Sequence, residues 1–466
     1  MTATALPPLP APADASRIEA LAAELRERAP DLPLVSEPAE LSRLSRDFHD
    51  YSPVLVPLLA GCRAQLAARP RRVAQVRAAA GACARQGVPL TVRGAGTGNY
   101  GQCVPLAGGL VLDLSGLNRL RQLDPQTGVL TAEAGCLLGS LETALAPHGR
   151  ELRLVPSTVR SATVGGFIAG GSGGIGSLRW GFLRDPGNLL GLEMVTLEPE
   201  PRLLELDAAA AAPLNHAYGT NGILTAVRLA TCAAVAWRQV VVGFPDWGAA
   251  VAAARDLPAT ALLLNGLTLL EGPVAARMPW PQGCPPPEAG EHRLLLLAAA
   301  DALPVLPSWL AGRGGRLHWQ EPQGRSRGVP LRELGWNHTT LHWRAQVSGW
   351  TYLQMLLPPE PEPLLRAVRQ RWGEEVLWHL EAVRQQGGAR LAALPLLRWR
   401  GRAELEALMA HCRDLGAVLF DPHALTVEDG GLGVIDADQV AAKLEHDPAG
   451  LLNPGKLRGW FSRTPG

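Results

Sequence analysis

At 466 residues, of which 47% are hydrophobic and 19% charged, the chain is long enough for two domains with separate cores and lacks the charge excess that keeps a polypeptide unfolded. Its 44 basic residues nearly cancel 43 acidic ones, leaving a formal net charge of +1, so no global field exists to gather nucleic acid. The seven cysteines (Cys62, Cys83, Cys103, Cys136, Cys232, Cys284 and Cys412) are odd in number, far apart and without a C-x-x-C pair, which points to reduced thiols in a cytoplasmic protein rather than a disulfide framework or a zinc site.

The opening "MTATALPPLPAPADASRIEA" has neither a basic n-region nor an apolar h-region, and residues 1–50 read as a proline-rich lead-in with one helix near Ala15 to Arg28. Apolar residues at helical spacing in "RRVAQVRAAAGACARQG" predict a second helix, stopped by Gly87. A strand-like run, Pro89 to Arg93, leads into "GAGTGNYGQ", where Gly96, Gly98 and Gly101 satisfy G-x-G-x-x-G. In a dinucleotide-binding βαβ unit the third glycine opens a helix. Here Pro105 and Gly108-Gly109 stand where that helix would run. The alternative is a loop whose successive backbone N–H groups form an anion nest, for which glycine supplies positive φ and close approach. A glycine-rich hairpin without a ligand would explain this stretch alone equally well.

Further on, "GLVLDLS", "GVLTAEAG", "LLGLEMVTLE" and "GILTAVRLAT" predict strands and "LLGSLETALAPHG" a helix, while "LDAAAAAPL" is expected to be a surface loop. Between them "SATVGGFIAGGSGGIGSLRWG" carries glycines at 165, 166, 170, 171, 173, 174, 176 and 181. Each glycine costs backbone entropy, so such density indicates main chain drawn close to something bulky. This second cluster favours binding over a bare hairpin.

Beyond Thr231 the texture changes, and a domain boundary is placed at Ala233 to Trp237. Strand-like "RQVVVGF" and "ATALLLNGLTLL", helix-like "DWGAAVAAARD" and a proline-rich loop, "MPWPQGCPPPEAG", begin a region that alternates to about Gly416, as an antiparallel sheet backed by helices would. The run "LLLLAAADALPVL" is broken by Asp301 and Pro304 and is too short to span a bilayer. A last helix, "DADQVAAKLEHDP", precedes "LLNPGKL". Lys443 and Lys456 are the only lysines.

The ordered set "PLTVRGAGTGNYGQ", "GGLVLDLSGLNRL", "TAEAG", "VPSTVRSATVGGFIAGGSGGIGS", "RWGFLRDPGNLLGLEMVTLE", "AYGTNGILTAVRLAT" and "LLNPGKL" resembles the FAD-binding oxidoreductases of the vanillyl-alcohol oxidase / p-cresol methylhydroxylase superfamily, FAD-linked and glycolate-oxidase-like. The resemblance implies an α+β fold: a two-subdomain FAD-binding domain over residues 51–233, an antiparallel-sheet substrate (cap) domain backed by helices over 234–418, and a segment, 419–466, returning to the FAD-binding domain. It implies that Arg93, Gly94, Ala95, Gly96, Thr97, Gly98 and Asn99 wrap the pyrophosphate, with Gln102, Pro156 and Ser157 beside them. Thr163, Val164, Gly165, Gly166, Gly170, Gly171, Gly173, Gly176 and Ser177 would line the flavin and ribityl chain, and Gly222 and Ile223 would border the cofactor through backbone atoms. Asn453 and Lys456 would bring the tail back to it. Relatives that tether the flavin often have histidine where this chain has Thr97, and bicovalent ones add a cysteine near Ser161. With neither nucleophile at those positions, non-covalent FAD is expected.

The resemblance implies hydride transfer to FAD from a small hydroxylated substrate, a 2-hydroxy acid by family weight, with a protein base taking the hydroxyl proton. In "GWNHTTLHWRAQVSGWTYLQ", His338 and His342 share one side on a helix or a strand. Arg344 suits a substrate carboxylate, and Tyr352 follows. Packed polar residues amid Trp336, Trp343 and Trp350 remain an equal reading of the pair. A metal site is not expected, since no further ligand is evident. In "LFDPHALTVEDGG", His423 is the favoured base, with Glu428 or Asp429 nearby, against a reading as turn residues. The "H-x-G-D-G-N-x-H" segment usual in the glycolate and D-lactate dehydrogenase branch is absent, which weakens the case for a 2-hydroxy acid. Two other readings stay open: a flavin-binding subunit or assembly protein without redox turnover, and a synthase-type use of FAD as in the ether-lipid branch. The electron acceptor and the oligomeric state are not legible in the sequence.

Overall fold

The computed structural model describes residues 5–171, 173–431 and 433–462. Its first sheet contains β1 (Leu34–Val35), β2 (Leu66–Ala68), β3 (Leu90–Arg93) and β4 (Leu110–Asp113) in the order β1-β2-β4-β3. β4 is parallel to both β2 and β3. The helix Val73–Gln86 makes the crossover from β2 to β3 and ends where Gly87 takes φ +59°, a left-handed turn that only glycine adopts without strain. Between β3 and β4 the chain instead makes its parallel return through residues 94–109 without a helix. The turn into β4 fixes its glycine: at Gly109, φ is +73° and an added Cβ would lie 2.1 Å from the Pro89 carbonyl oxygen. The connection thus lacks a Rossmann helix, as Pro105 and Gly108-Gly109 in the sequence argue.

The second sheet is antiparallel: β5 (Leu120–Asp124), β6 (Val129–Glu133), β7 (Arg150–Leu152), β8 (Leu189–Val195), β9 (Leu203–Asp207) and β10 (Ile223–Ala233). Its order is β5-β6-β10-β8-β9, with β7 also on β10. One apolar cluster joins the two sheets, from Leu90, Leu110 and Leu112 to Leu130, Ile223 and Val227. Burying each such side chain contributes about 1.5–3 kcal/mol. The stretch expected as a loop, "LDAAAAAPL", contains a helix, Ala208–Ala211, because the Asp207 carboxylate accepts from the Ala209 and Ala210 amides and caps a run of the best helix former.

The third sheet begins at β11 (Trp237–Phe244) and adds β12 (Leu264–Leu270), β13 (His292–Ala299) and β14 (Arg316–Pro322). A small sheet, β15 (Trp350–Tyr352), β20 (Leu396–Arg398) and β17 (Val376–Leu377), flanks it. The main sheet continues through β16 (Gln354–Leu356), β18 (His379–Gln385), β19 (Gly388–Ala393) and β21 (Val418–Phe420), in the antiparallel order β14-β11-β13-β12-β18-β19-β16-β21. β21 lies across the expected 418/419 boundary, so this sheet reaches further along the chain. Both faces are covered, which explains the unbroken apolar run of β11: Val240 and Val242 belong to the same apolar cluster as Val251 and Ala254 of the helix Trp247–Asp256, and Val241 to the separate cluster of Trp319 and Trp343. After the helix Ala437–His446 the tail runs back beside β3, where the Leu90 amide donates to Leu451 and the Asn453 amide to Leu90.

Candidate functional site

Strand β3 and the loop after it, the glycine-rich residues 163–171 and 173–174, and one edge of the third sheet enclose a cavity of about 250 Å³. Gly94, Ala95, Gly96, Thr97, Gly98 and Asn99 form one wall. Among the described residues, the amides of Gly94 to Asn99 donate to no protein acceptor. Gly96 has φ +70°, and six unspent donors around such a turn make an anion-binding concavity. Side chains would not fit the wall: a Cβ on Gly94 would lie 2.2 Å from the Thr163 hydroxyl, and one on Gly98 would lie 1.9 Å from the Gln102 carboxamide.

The second glycine cluster contains a helix, Val164–Gly170, that sequence reading did not anticipate. Its first amides are already used: Val164 donates to Cys136, Gly165 to Ala134, and Gly166 to the Thr163 hydroxyl. Free amides therefore lie in the Gly94–Asn99 loop and not at this helix end. Gly165, Gly166, Gly170, Gly171 and Gly173 face the cavity, as do Pro156, Ser157, Thr163 and Gly222.

Several expected cofactor contacts stand behind the wall. Val164, Gly176, Ser177 and Ile223 do not line the cavity. Arg93 is turned away, its guanidinium donating to the Leu44, Arg46 and Ala95 carbonyls and to the Cys103 sulfur. Lys456 is fully buried, donates to the Gly101 carbonyl at 2.6 Å, and is lowered to about 8 by burial. Asn453 donates its amide to the Gln102 carbonyl at 2.9 Å and the Tyr218 carbonyl at 2.6 Å. The tail thus fastens the loop that lines the cavity rather than lining it.

The opposite wall comes from Trp336, Asn337, His338 and Leu341 at and within the helix Asn337–Arg344, with Gln354 and Phe420 beside them. Trp336 has φ +51° and ψ −143°, a region that is essentially glycine's own and that a tryptophan keeps only under constraint. The Trp336 amide donates to the buried Glu381 carboxylate at 2.6 Å, and that carboxylate also bonds Thr268 and His379, each at 2.7 Å. Two bonds hold the walls together: Asn99 donates to the Tyr352 hydroxyl at 2.6 Å, and the Tyr100 hydroxyl to Gln354 at 2.8 Å.

Of the expected catalytic side chains, only His338 reaches the cavity. Burial, then its neighbour His342, holds its imidazole below the ordinary histidine value. His342 stands behind it, with ring centroids 6.3 Å apart. Arg344 is spent on the Asp50 carbonyl at 2.7 Å and lies over the Tyr51 ring. Tyr352 is buried as the acceptor for Asn99. Glu428 caps the C-terminal helix Arg458–Phe461, accepting from the Arg458 amide at 2.9 Å and the Gly459 amide at 2.7 Å. The favoured base, His423, is fully buried away from the cavity. Its Nε2 donates to the Tyr352 carbonyl at 2.9 Å, so Nδ1 accepts from the Ser52 hydroxyl at 2.7 Å. Both nitrogens are spent, and burial lowers it to about 4.

Sequence reading missed His216 and Tyr218. Both line the cavity with positive φ, +58° and +53°. The only sequence hint was their place beside the quoted glycines of "AYGTNG". His216 Nε2, the Tyr218 hydroxyl, Gln102 Oε1 and Asn337 Oδ1 are buried wall atoms without a partner in the protein. Together with the open amides they call for a large polar ligand that carries an anion.

Residues 64–205 match the family of FAD binding domains. The chain carries an FAD-binding domain. The glycolate oxidase subunit GlcD of Escherichia coli (strain K12) is 28% identical over 269 residues, 55% of this chain and 51% of the relative, so the chain spans about half its length. Over the whole fold, an alkyldihydroxyacetonephosphate synthase structure superposes with a TM-score of 0.73 at 15% identity, covering 97% of this chain and 87% of that one. The Physcomitrella patens BBE-like 1 variant gives 0.65 at 14%, covering 94% and 98%. In the FAD-binding domain the free amides suit the diphosphate and the bare glycine wall suits the bulk of the cofactor. Among the described residues no helix is long and apolar enough to cross a membrane, and no three His, Cys, Asp or Glu residues gather as a metal site.

Proposed function

We propose that the protein is a cytoplasmic FAD-dependent oxidoreductase that oxidises a small hydroxylated molecule with non-covalently held cofactor. The observation that carries this reading is the loop of unspent amides, Gly94 to Asn99, facing His338 across one cavity. The name of the Escherichia coli relative, a glycolate oxidase subunit, supports oxidation at a hydroxyl-bearing carbon. When bound, FAD supplies the two-electron acceptor. The chain's own residues do the rest. His338, kept neutral near pH 7 by burial, has a lone pair free to take the substrate hydroxyl proton. The Asn337 and Gln354 amides orient the polar end of the substrate, and Trp336, Leu341 and Phe420 exclude water from it.

Anaerobic mixing of the flavin-loaded protein with a panel of alcohols and hydroxy acids tests this: at least one should bleach the visible flavin absorbance, and His338→Ala should slow the bleaching while retaining the flavin. If nothing in the panel bleaches it, a flavin-binding subunit without turnover replaces the enzyme. Acid precipitation should leave the flavin in the supernatant; colour in the pellet would overturn the non-covalent assignment.

A further inference from the structure

Among the described residues, no Asp, Glu, Lys or Arg side chain lines the cavity, although the chain has 44 basic and 43 acidic residues. The cations behind the wall are engaged elsewhere: Arg93 by three carbonyls and a thiol, Lys456 by the Gly101 carbonyl, and Arg344 by the Asp50 carbonyl. The two wall histidines carry no compensating charge at neutral pH, since burial lowers His216 to about 4 and His338 below its ordinary value.

One anion can be accommodated, because the run of free amides from Gly94 to Asn99 would meet the cofactor diphosphate through the main chain. A second anion, on a substrate, would find neither a cation nor another such run. Taking a carboxylate out of water without a partner costs several kcal/mol. The cap-side wall offers the opposite chemistry: Trp336, Leu341 and Phe420, with Tyr51 near them and two neutral amides, Asn337 and Gln354. Flat apolar groups pack well on such a surface, and a single hydroxyl can be hydrogen-bonded there.

We propose that the substrate site selects an uncharged alcohol with an aromatic or similarly flat apolar body, and that ionised hydroxy acids are poor ligands. The inference rests on the oxidoreductase reading for its chemistry but not for its selectivity. In that chemistry the carbinol C–H bond breaks with its electron pair leaving as hydride to FAD, the O–H proton passes to His338, and a C=O bond forms. The product is an uncharged aldehyde or ketone.

The matched pair methyl mandelate and mandelate, which differ in charge at similar shape, tests it. Each enantiomer is titrated into flavin-loaded protein at pH 7, with dissociation constants read from the flavin spectrum and from calorimetry. The ester should bind at least about tenfold more tightly. Equal or tighter binding of mandelate overturns the proposal, as does failure of the ester to bind at millimolar concentration. Leu341→Arg places a cation in the wall and should shift the ratio toward mandelate by about tenfold or more; an unchanged ratio removes this wall as the substrate site. The two readings fail differently. An ester that binds tightly while no member of the alcohol panel bleaches the flavin sinks the oxidoreductase and keeps the selectivity, whereas a hydroxy acid that bleaches it while the ester does not bind does the reverse.

Discussion

The two walls of the cavity are built from opposite materials. On one side Gly94, Gly96, Gly165 and Gly170 present backbone and little else; on the other Trp336, His338, Leu341 and Phe420 present side chains. A main-chain wall recognises a ligand by shape and by amide direction, so it tolerates no added atoms. A side-chain wall recognises by chemistry, so its residues can be exchanged with a change in what is bound or done. Substitutions on the first side should therefore cost cofactor, and those on the second should cost turnover.

The largest expected effect tests the first half of that contrast. In Gly96→Ala the new Cβ sits at φ +70° and 2.0 Å from the Arg93 guanidinium, and in Gly94→Ala it meets the Thr163 hydroxyl. Both proteins should purify without colour while the far-UV dichroism of the unaltered sheets persists; full flavin content in both would break the comparison. On the other wall, His338→Gln should keep the flavin and lower the rate constant of flavin reduction by about 10²–10⁴. Because burial depresses this histidine, the wild-type rate should be level near pH 7 and fall only as acid protonates the ring below about 6.5. The variant should lack that acidic limb.

Glu381→Ala sharpens the comparison from behind the wall. It removes the acceptor that holds the Trp336 amide and strands Thr268 and His379, for an expected loss of about 2–3 kcal/mol in urea unfolding, with slower reduction but retained flavin. A smaller effect concerns His423, whose folded value of about 4 lies below the ordinary histidine range. The unfolded chain binds the proton more readily, so this stability is complete above about pH 6.5 and disappears as the pH falls toward 4, by about 1.4 kcal/mol per unit. Urea titrations at pH 7 and pH 5 should show it, and His423→Gln should reduce the difference. Least of all, Arg160→Ala breaks a surface pair with Glu333 in which the arginine side chain is 64% exposed, and should change stability by less than about 1 kcal/mol.

The glycine wall was legible in the sequence because its function depends on what each residue lacks, a property every glycine carries wherever it folds. The helices Ala15–Arg28 and Val73–Gln86 were legible for a related reason: apolar spacing and caps act within one or two turns. The helix Ala208–Ala211 was missed although its signal, an Asp cap before an alanine run, was present. The opposite wall was only partly legible. His423, Arg344 and Glu428 are plausible acids, bases or anchors by type, yet Ser52, Asp50 and the tail amides claim them. Those partners lie tens to hundreds of residues away along the chain.

By itself, then, the sequence determined that the connection after β3 would be a glycine-rich loop rather than a βαβ helix, since glycine content and the proline after the motif are local facts. Only the tertiary structure decided which histidine meets the cavity, that Arg344 turns to Asp50, and that among the described residues no charged side chain reaches the wall. The physical reason is that a side chain's direction and its free hydrogen-bonding capacity are set by which distant groups pack against it, and no local pattern records those partners.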